Sequence, residues 1–363
     1  MDYNDFEQQY TYDRGTYYSS PRWNDFTLDD ERQAKRRFSK FFLSVFVYLF
    51  VSSVIAIASG IILTAIAGTD KAIEISESSW YVLVMNSVIM YAIAFPIFYF
   101  MVRGMRNTIR FKEKMNFSEF FKIFLVGEAF MTVGNLIGTY LNLFIGSFIG
   151  KIPENSTSDT IMNSNIWLVI LIAVIIGPIF EELIFRKLLM DKLGMYGDRT
   201  AIFVSAIAFG LFHGNLYQFF YAAMLGFVLA YLYSKTSNVW YPIALHMLVN
   251  FIGSVIPLLF ADKIARYEEI ATIVANGEEL TAELTAELTA ITPIVLGYSL
   301  ITVGMAVAGL VIFFKRRKQI FVSDRCEILI PKERRANVIF ANVGVIAFLV
   351  ISAVSMFLSI FEI

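Results

Sequence analysis

Two adjacent glutamates, Glu181 and Glu182, follow an apolar run over residues 166–180. An ionisable side chain at the depth of a lipid bilayer costs about 2.5–3.5 kcal/mol, so such a group is typical of a functional site. The chain has only two histidines, His213 and His246, and each lies in an apolar, helix-like segment downstream of the glutamates. Carboxylates and imidazoles are the groups that most often transfer protons in catalysis. The pattern therefore predicts an active site inside a membrane.

The two glutamates are expected to have different surroundings. On a helix, Glu182 and Arg186 are i and i+4 and share a face, whereas Glu181 points about 100° away. We therefore expect Arg186 to neutralise and orient Glu182, and Glu181 to face a cavity. Pro178 cannot donate to the carbonyl of residue 174, so a kink that admits water is expected just before the carboxylates. The alternative is that these charges simply end a membrane span at the interface.

Both histidines are paired with another residue at helical spacing. Phe209 and His213 share one helix face, and His246 and Asn250 share another. A lone polar residue in a membrane helix is more often an interhelical hydrogen bond than a catalyst. However, peptide hydrolysis without a nucleophilic Ser or Cys needs a base, a placed water and donors for the developing negative charge. The glutamates, the histidines and the asparagine are residue types that meet this need.

The composition requires that these residues be positioned by membrane helices. Hydrophobic residues make up 57% of the chain and charged residues 17%, which excludes an ordinary soluble domain. We predict an all-α, polytopic integral membrane bundle of about eight or nine transmembrane helices. The fifth stretch is short and is expected to join the sixth through a tight turn. The nine apolar stretches are 41–67, 81–102, 124–148, 166–185, 201–212, 217–233, 239–260, 293–314 and 338–360.

The charges between these stretches predict the orientation and the domains. Lysine and arginine cluster before the first stretch and after the second, fourth and eighth, which places the N-terminus in the cytoplasm. The tyrosine-rich residues 1–38 are predicted to form a disordered cytosolic tail. We divide the rest into N-terminal spans over 39–164, a catalytic membrane core over 165–256, and C-terminal spans over 257–363. An extracytoplasmic loop is expected at 261–291, where repeated Thr-Ala-Glu-Leu predicts a short amphipathic helix.

The motifs occur in a recognisable order. Glu-Glu-x-x-x-Arg, Phe-x-x-x-His and His-x-x-x-Asn lie on the fourth, fifth and seventh helices. This ordered set resembles the CAAX-protease and bacteriocin-processing (CPBP) family of intramembrane endopeptidases, formerly grouped as Abi proteins, and the resemblance covers residues 165–255. It implies a membrane-embedded hydrolase that cleaves a peptide bond of a membrane-associated or lipidated protein or peptide, without a nucleic-acid partner. We expect it in the cell membrane of a bacterium.

The resemblance also implies a role for each motif residue. Glu181 would be the general base that activates a water, and His213 would help to hold that water. His246 and Asn250 would stabilise the oxyanion of the tetrahedral intermediate. The supporting residues would be Glu182, Arg186 and Phe209.

Alternative mechanisms and functions use the same residues. The resemblance implies a metal-independent protease with no cofactor, whereas Glu181, His213 and His246 are also a known type of catalytic zinc set. A second class of protein is a catalytically silent membrane scaffold or bacteriocin immunity factor that binds a partner. A third class is a transporter, which predicts further intramembrane charges. Glu128 is the one further candidate, and we expect it to lie near the interface or to be satisfied by its neighbours.

Overall fold

The computed structural model of the protein describes residues 26–108, 112–153, 155–317 and 327–361. Of these residues 86% are helical and none forms a strand. Eight of the helices are long and apolar enough to cross a membrane. The prediction of an all-α, polytopic membrane bundle is therefore confirmed.

The eight long helices are accompanied by shorter ones that connect or cap them. The predicted short fifth stretch is present as α7, which has 15 residues and packs against α8. The helices are α1 (Leu28–Ala67), α2 (Thr69–Glu77), α3 (Ser79–Val102), α4 (Phe117–Ile149), α5 (Ser156–Met162), α6 (Ile166–Tyr196), α7 (Asp198–Phe212), α8 (Leu216–Thr236), α9 (Trp240–Leu258), α10 (Ala261–Ala275), α11 (Ala282–Arg316), α12 (Lys332–Phe340) and α13 (Val343–Phe361).

The first helix begins earlier than the sequence analysis placed it. The Thr27 hydroxyl accepts a hydrogen bond from the Asp30 amide at 3.1 Å, and the Asp30 carboxylate accepts one from the Thr27 amide at 2.9 Å. This capping box satisfies two backbone donors and starts α1 at Leu28. Residues 28–38 are therefore helical, which corrects the disordered tail predicted over 1–38, and residues 1–25 lie outside the described residues.

The loop predicted over 261–291 is largely helical. It contains α10 and the first turns of α11, so the Thr-Ala-Glu-Leu repeat continues directly into a membrane span instead of forming a separate short helix. Arg266 of α10 donates two hydrogen bonds of 2.9 Å to Glu287 of α11. These bonds join α10 to the first turns of α11 as a hairpin.

Three long helices change to a π-helical turn just before a proline. A proline lacks an N–H and collides with the carbonyl four residues earlier, and a wider turn relieves that collision. In α6 the turn spans residues 170–176, the region before the carboxylates where the sequence predicts a kink. A second π-helical turn spans residues 183–189, so both sides of the segment Gly177–Glu182 are irregular. The prolines that follow π-helical turns are Pro96, Pro178 and Pro257.

Glycines bring α7 and α8 into close contact, as small residues do in membrane bundles. A Cβ atom on Gly210 would lie 2.7 Å from the carbonyl oxygen of Phe219, so only glycine fits there. The turn between the helices passes through Gly214, whose φ of +65° favours glycine. Asn215 then caps α8 by accepting a hydrogen bond from the Gln218 amide at 2.7 Å. The hairpin holds His213 within the bundle.

The C-terminal end of α6 is fixed by polar contacts to neighbouring segments. Tyr233 of α8 donates a hydrogen bond to the Asp191 carboxylate at 2.7 Å. Arg37 of α1 donates to the carbonyl oxygen of Lys192 at 3.0 Å, and the Lys192 ammonium donates to the carbonyl oxygen of Met105 at 2.5 Å. These contacts fix the helix that carries both glutamates.

Candidate active site

Glu182 and Arg186 form an ion pair in the centre of the bundle. Arg186 Nη1 donates to Glu182 Oε1 at 3.0 Å, and neither side chain is exposed. Arg186 Nη2 donates to the carbonyl oxygen of Gly226 at 3.3 Å, and the guanidinium carbon lies 4.5 Å from the centre of the Phe209 ring. The pair predicted from the i, i+4 spacing is therefore present. Two further helices, α7 and α8, hold its arginine in place.

His246 of α9 bridges the two glutamates. Its Nδ1 lies 3.0 Å from Glu182 Oε1, and its Nε2 lies 3.7 Å from Glu181 Oε2. An ionised carboxylate can only accept hydrogen bonds, so Nδ1, which faces the ion-paired Glu182, carries a proton.

Glu181 differs from its neighbour in its access to solvent. Its side chain is 14% exposed, whereas that of Glu182 is completely buried. Glu181 Oε1 lies 3.9 Å from the position that a Cβ atom on Gly177 would occupy. The carboxylate therefore lies next to Gly177, one turn earlier on the same helix, where no side chain occupies the space. Of the two glutamates, Glu181 is the one that water can reach.

The Phe209 ring contacts three of the site residues. Its centroid lies 5.0 Å from that of His213 and 5.6 Å from that of His246, with edge-on geometry in both cases. Its face supports the Arg186 guanidinium. His213 lies at the C-terminal end of α7, within electrostatic range of Glu181 and His246. Phe209 therefore fixes the relative positions of the two imidazoles.

Asn250 is directed towards α6. Its Nδ2 donates a hydrogen bond of 2.8 Å to the carbonyl oxygen of Ala173, which lies in the π-helical turn before Gly177. A side-chain amide has two N–H donors, so the second one remains for another acceptor. Asn250 joins the helix that carries His246 to the helix that carries the glutamates.

The zinc alternative requires Glu181, His213 and His246 to converge on one ion. In the described part of the chain, no group of three or more His, Cys, Asp or Glu residues has an arrangement that would hold a metal ion. The donor set therefore does not fit a zinc site with three protein ligands in this structure.

Sequence reasoning missed the tyrosines that surround Glu181. Tyr48 of α1, Tyr91 of α3 and Tyr221 of α8 each interact electrostatically with its carboxylate. Tyr91 also stacks on Phe180, with centroids 4.7 Å apart and planes 15° apart. Tyrosines of membrane proteins concentrate at the two interfaces, so Tyr91, in the middle of its apolar stretch, is the signal that was available.

Glu128 of α4 is buried among the helices. It is 3% exposed, and its Oε1 has no hydrogen-bond partner among the residues described. Its neighbours therefore do not satisfy this oxygen, and the alternative that Glu128 lies near the interface stays a prediction. It lies on a different helix from each of the motif residues.

Comparison with known proteins confirms the family resemblance. Residues 163–252 match the family described as type II CAAX prenyl endopeptidase Rce1-like. The protein named "Putative membrane peptidase YdiL" of Bacillus subtilis (strain 168) is 33% identical over 106 residues, which are 28% of this chain and 42% of that relative. The chain thus spans less than half of the relative's length. No solved structure matches the chain. The matched stretch contains the three motifs, the helices α6, α7 and α8, and α9 up to residue 252.

Proposed function

We propose that the protein is an intramembrane peptidase in which Glu181 activates a water to hydrolyse a peptide bond. One observation carries the proposal. A partly exposed carboxylate lies 3.7 Å from the His246 imidazole, beside a Glu182–Arg186 pair whose charges compensate each other. The similarity of residues 163–252 to membrane endopeptidases supports the reaction class.

The first step is attack by water. Glu181 takes one proton from a water that His213 helps to hold, and the resulting hydroxide adds to the carbonyl carbon of the substrate. The electron pair of the carbonyl bond moves to its oxygen, which becomes an oxyanion. The protonated Glu181 carboxyl then holds the proton that the leaving group needs.

The second requirement is a set of donors for the oxyanion. His246 acts as the doubly protonated imidazolium throughout the cycle, so its Nδ1–H is directed at Glu182 and its Nε2–H is left for the oxyanion. The second N–H of Asn250 is a further donor. Donors held by a rigid framework stabilise developing charge strongly in a site that excludes water. Glu182 and Arg186 support this arrangement, because the Glu182 carboxylate fixes the orientation of the imidazole.

The third step is cleavage. The oxyanion re-forms the carbonyl, the carbon–nitrogen bond breaks, and Glu181 returns its proton to the departing amine. Every group of the protein is then in its starting state, so this cycle requires neither a cofactor nor a metal ion.

The position of the site indicates the class of substrate. Glu181 lies near the middle of α6, a helix long enough to span a membrane. We therefore propose a membrane-associated or lipidated protein or peptide as the substrate. We also propose that the protein lies in a bacterial cell membrane with its N-terminus in the cytoplasm.

The test compares protein N-termini in membranes that contain the wild-type protein or Glu181→Gln. We expect new N-termini only with the wild type, because Gln keeps the size of the side chain but cannot take the proton. Glu128→Gln is the matched control, since it removes a buried carboxylate of another helix and should leave cleavage unchanged.

If the Glu181→Gln membranes contain the same new N-termini as the wild type, the proposed base is wrong. If the wild type produces none, the protein is not a peptidase of membrane proteins. If the protein then has an effect on the cell that Glu181→Gln does not remove, that result would favour a scaffold or immunity factor.

A further inference from the structure

The proposed reaction places a negative charge on the substrate oxygen, so the donors around Glu181 decide how well that charge is stabilised. Several of them already have partners within the protein. Nδ1 of His246 is directed at Glu182, and Nδ2 of Asn250 donates to the carbonyl oxygen of Ala173. Hydrogens engaged in this way are not available to a substrate. A donor without a partner near Glu181 is therefore of interest.

Tyr91 of α3 is such a donor, and it lies outside the stretch that resembles the family. Its hydroxyl oxygen is 3.4 Å from the position of a Cβ atom on Gly177, and Glu181 Oε1 is 3.9 Å from the same point. Because Gly177 has no side chain, the Tyr91 hydroxyl and the Glu181 carboxylate can both lie next to the same part of α6. The Tyr91 hydroxyl has no hydrogen-bond partner within the described ranges of the chain.

The ring of Tyr91 is held firmly even though its hydroxyl is not. It stacks on Phe180, the residue before Glu181, and Phe95 packs edge-on against the same Phe180 at 4.8 Å between centroids. Tyr91 also lies in the π-helical turn over residues 88–94 that precedes Pro96. Its hydroxyl is therefore aimed by packing, which is the condition for a donor that stabilises a transition state.

A second tyrosine supports the same assignment. Tyr48 of α1 is 1% exposed, and its hydroxyl is buried without a hydrogen-bond partner in the part of the chain that the structure describes. It interacts electrostatically with both Tyr91 and Glu181. Buried hydroxyls without partners are rare, and binding of another molecule is one explanation for them. One such hydroxyl, next to the Tyr91 hydroxyl and the Glu181 carboxylate, indicates that a polar group of a ligand belongs there.

We propose that Tyr91 is a catalytic residue, whose O–H donates a hydrogen bond to the oxyanion of the tetrahedral intermediate. This inference rests on the proposed function. A phenol is protonated at physiological pH, so it acts as a donor and not as the base. Tyr91 keeps its proton throughout. The proton of the attacking water goes to Glu181 and later to the leaving amine, while the bond from Tyr91 strengthens as the substrate oxygen becomes negative.

The experiment uses the full-length protein and a peptide copied from a cleavage site found in the membrane comparison. Tyr91→Phe removes only the hydroxyl and keeps the stack on Phe180. We expect kcat to fall by about 10²–10³-fold, the usual effect of removing one oxyanion donor, with KM unchanged. Tyr99→Phe is the matched control, because Tyr99 lies on the same helix and is 43% exposed. It should retain the wild-type rate.

A second measurement separates a donor from a residue that only shapes the site. A phosphonate analogue of the same peptide carries a tetrahedral anion, so Tyr91→Phe should weaken its binding by the same factor as kcat/KM. Equal losses in the two measurements, with an unchanged melting temperature, support the inference. A wild-type kcat in Tyr91→Phe, or a loss of kcat without any loss of phosphonate binding, would overturn it.

The controls also distinguish this inference from the function on which it rests. If wild-type protein cleaves, Glu181→Gln does not, and Tyr91→Phe cleaves at the wild-type rate, only the role of Tyr91 is wrong. If Glu181→Gln cleaves as well as the wild type, the proposed function fails first, and the role of Tyr91 fails with it.

Discussion

Removal of Arg186 should destabilise the protein strongly, because it leaves a charge in the centre of the bundle. Glu182 has no exposure, and its Oε2 already lacks a hydrogen-bond partner among the described residues. Breaking a buried pair by removing one partner costs about 3–5 kcal/mol, most of which is the penalty of the uncompensated charge. We therefore expect Arg186→Met to lower the free energy of unfolding by about this amount. The change also removes the bond to Gly226 and the contact with Phe209.

Glu182→Gln should also be costly, because the guanidinium then lacks its counter-charge. The double change, Glu182→Gln with Arg186→Met, removes both charges and should cost less than the sum of the two single changes. Residues in direct contact give coupling energies of about 0.5–3 kcal/mol, and a buried pair belongs at the upper end of that range. A double-mutant cycle on unfolding in detergent or in a bilayer measures this coupling.

Activity should not recover together with stability. Glu182 Oε1 accepts from Arg186 and also lies 3.0 Å from His246 Nδ1, so the double change still removes the group that orients the imidazole. We expect the double variant to be more stable than the single changes predict, yet still inactive. Recovery of activity would contradict the proposed orientation of His246. Strictly additive losses of stability would show that Glu182 and Arg186 do not act as a pair.

A surface pair gives the matched control for this cycle. Arg266 and Glu287 are joined by hydrogen bonds of similar length, but their side chains are 34% and 37% exposed. Solvent-exposed pairs contribute little because water and salt screen them. We expect the cycle of Arg266→Met and Glu287→Gln to show no measurable coupling and no loss of activity. An equally large coupling there would mean that burial is not the cause of the effect at the centre.

Two further predictions concern Asn250 and the metal ion. Asn250→Ala removes the donor to the carbonyl oxygen of Ala173. It should therefore lower the free energy of unfolding by about 1–3 kcal/mol and reduce kcat. Unchanged values in thermal unfolding and in kinetics would contradict the role of Asn250 in joining α9 to α6. Exhaustive chelation should leave activity unchanged, and elemental analysis of the active protein should find no stoichiometric zinc. Loss of activity on chelation that added zinc reverses would favour the metal mechanism.

The parts of the site that depend on local spacing were predictable from the sequence. Glu182 and Arg186 pair because i and i+4 positions meet on a helix, and that rule needs no knowledge of the other helices. The same rule places the Phe209 ring beside His213, at 5.0 Å between centroids. The long apolar stretches predicted the membrane helices because a span needs about 20 apolar residues. The start of α1 was also readable, since Thr27 and Asp30 have the spacing of a capping box.

The parts that depend on packing between helices were not predictable. The carbonyl oxygens of Gly226 and Ala173 bind Arg186 and Asn250, and no pattern in the sequence indicates which backbone carbonyl a distant side chain will meet. The position of Tyr91 is of the same kind, because α3 and α6 are far apart in the chain. Glu128 is a related case. Its depth depends on the tilt and overlap of α4, which apolar length alone does not determine.

Two adjacent carboxylates acquire different roles because different helices lie against each side of α6. Beside Glu182, one connected set of charges and hydrogen bonds is formed by Arg186, the carbonyl oxygen of Gly226 and His246. On the side of Glu181, the nearest surface of α6 is Gly177, which has no side chain to occupy the space. A regular helix already separates neighbouring residues by about 100°, so a one-residue shift of the motif would move one glutamate into the environment of the other. The order of the motif thus determines which glutamate is held in an ion pair and which is left accessible to act as the base.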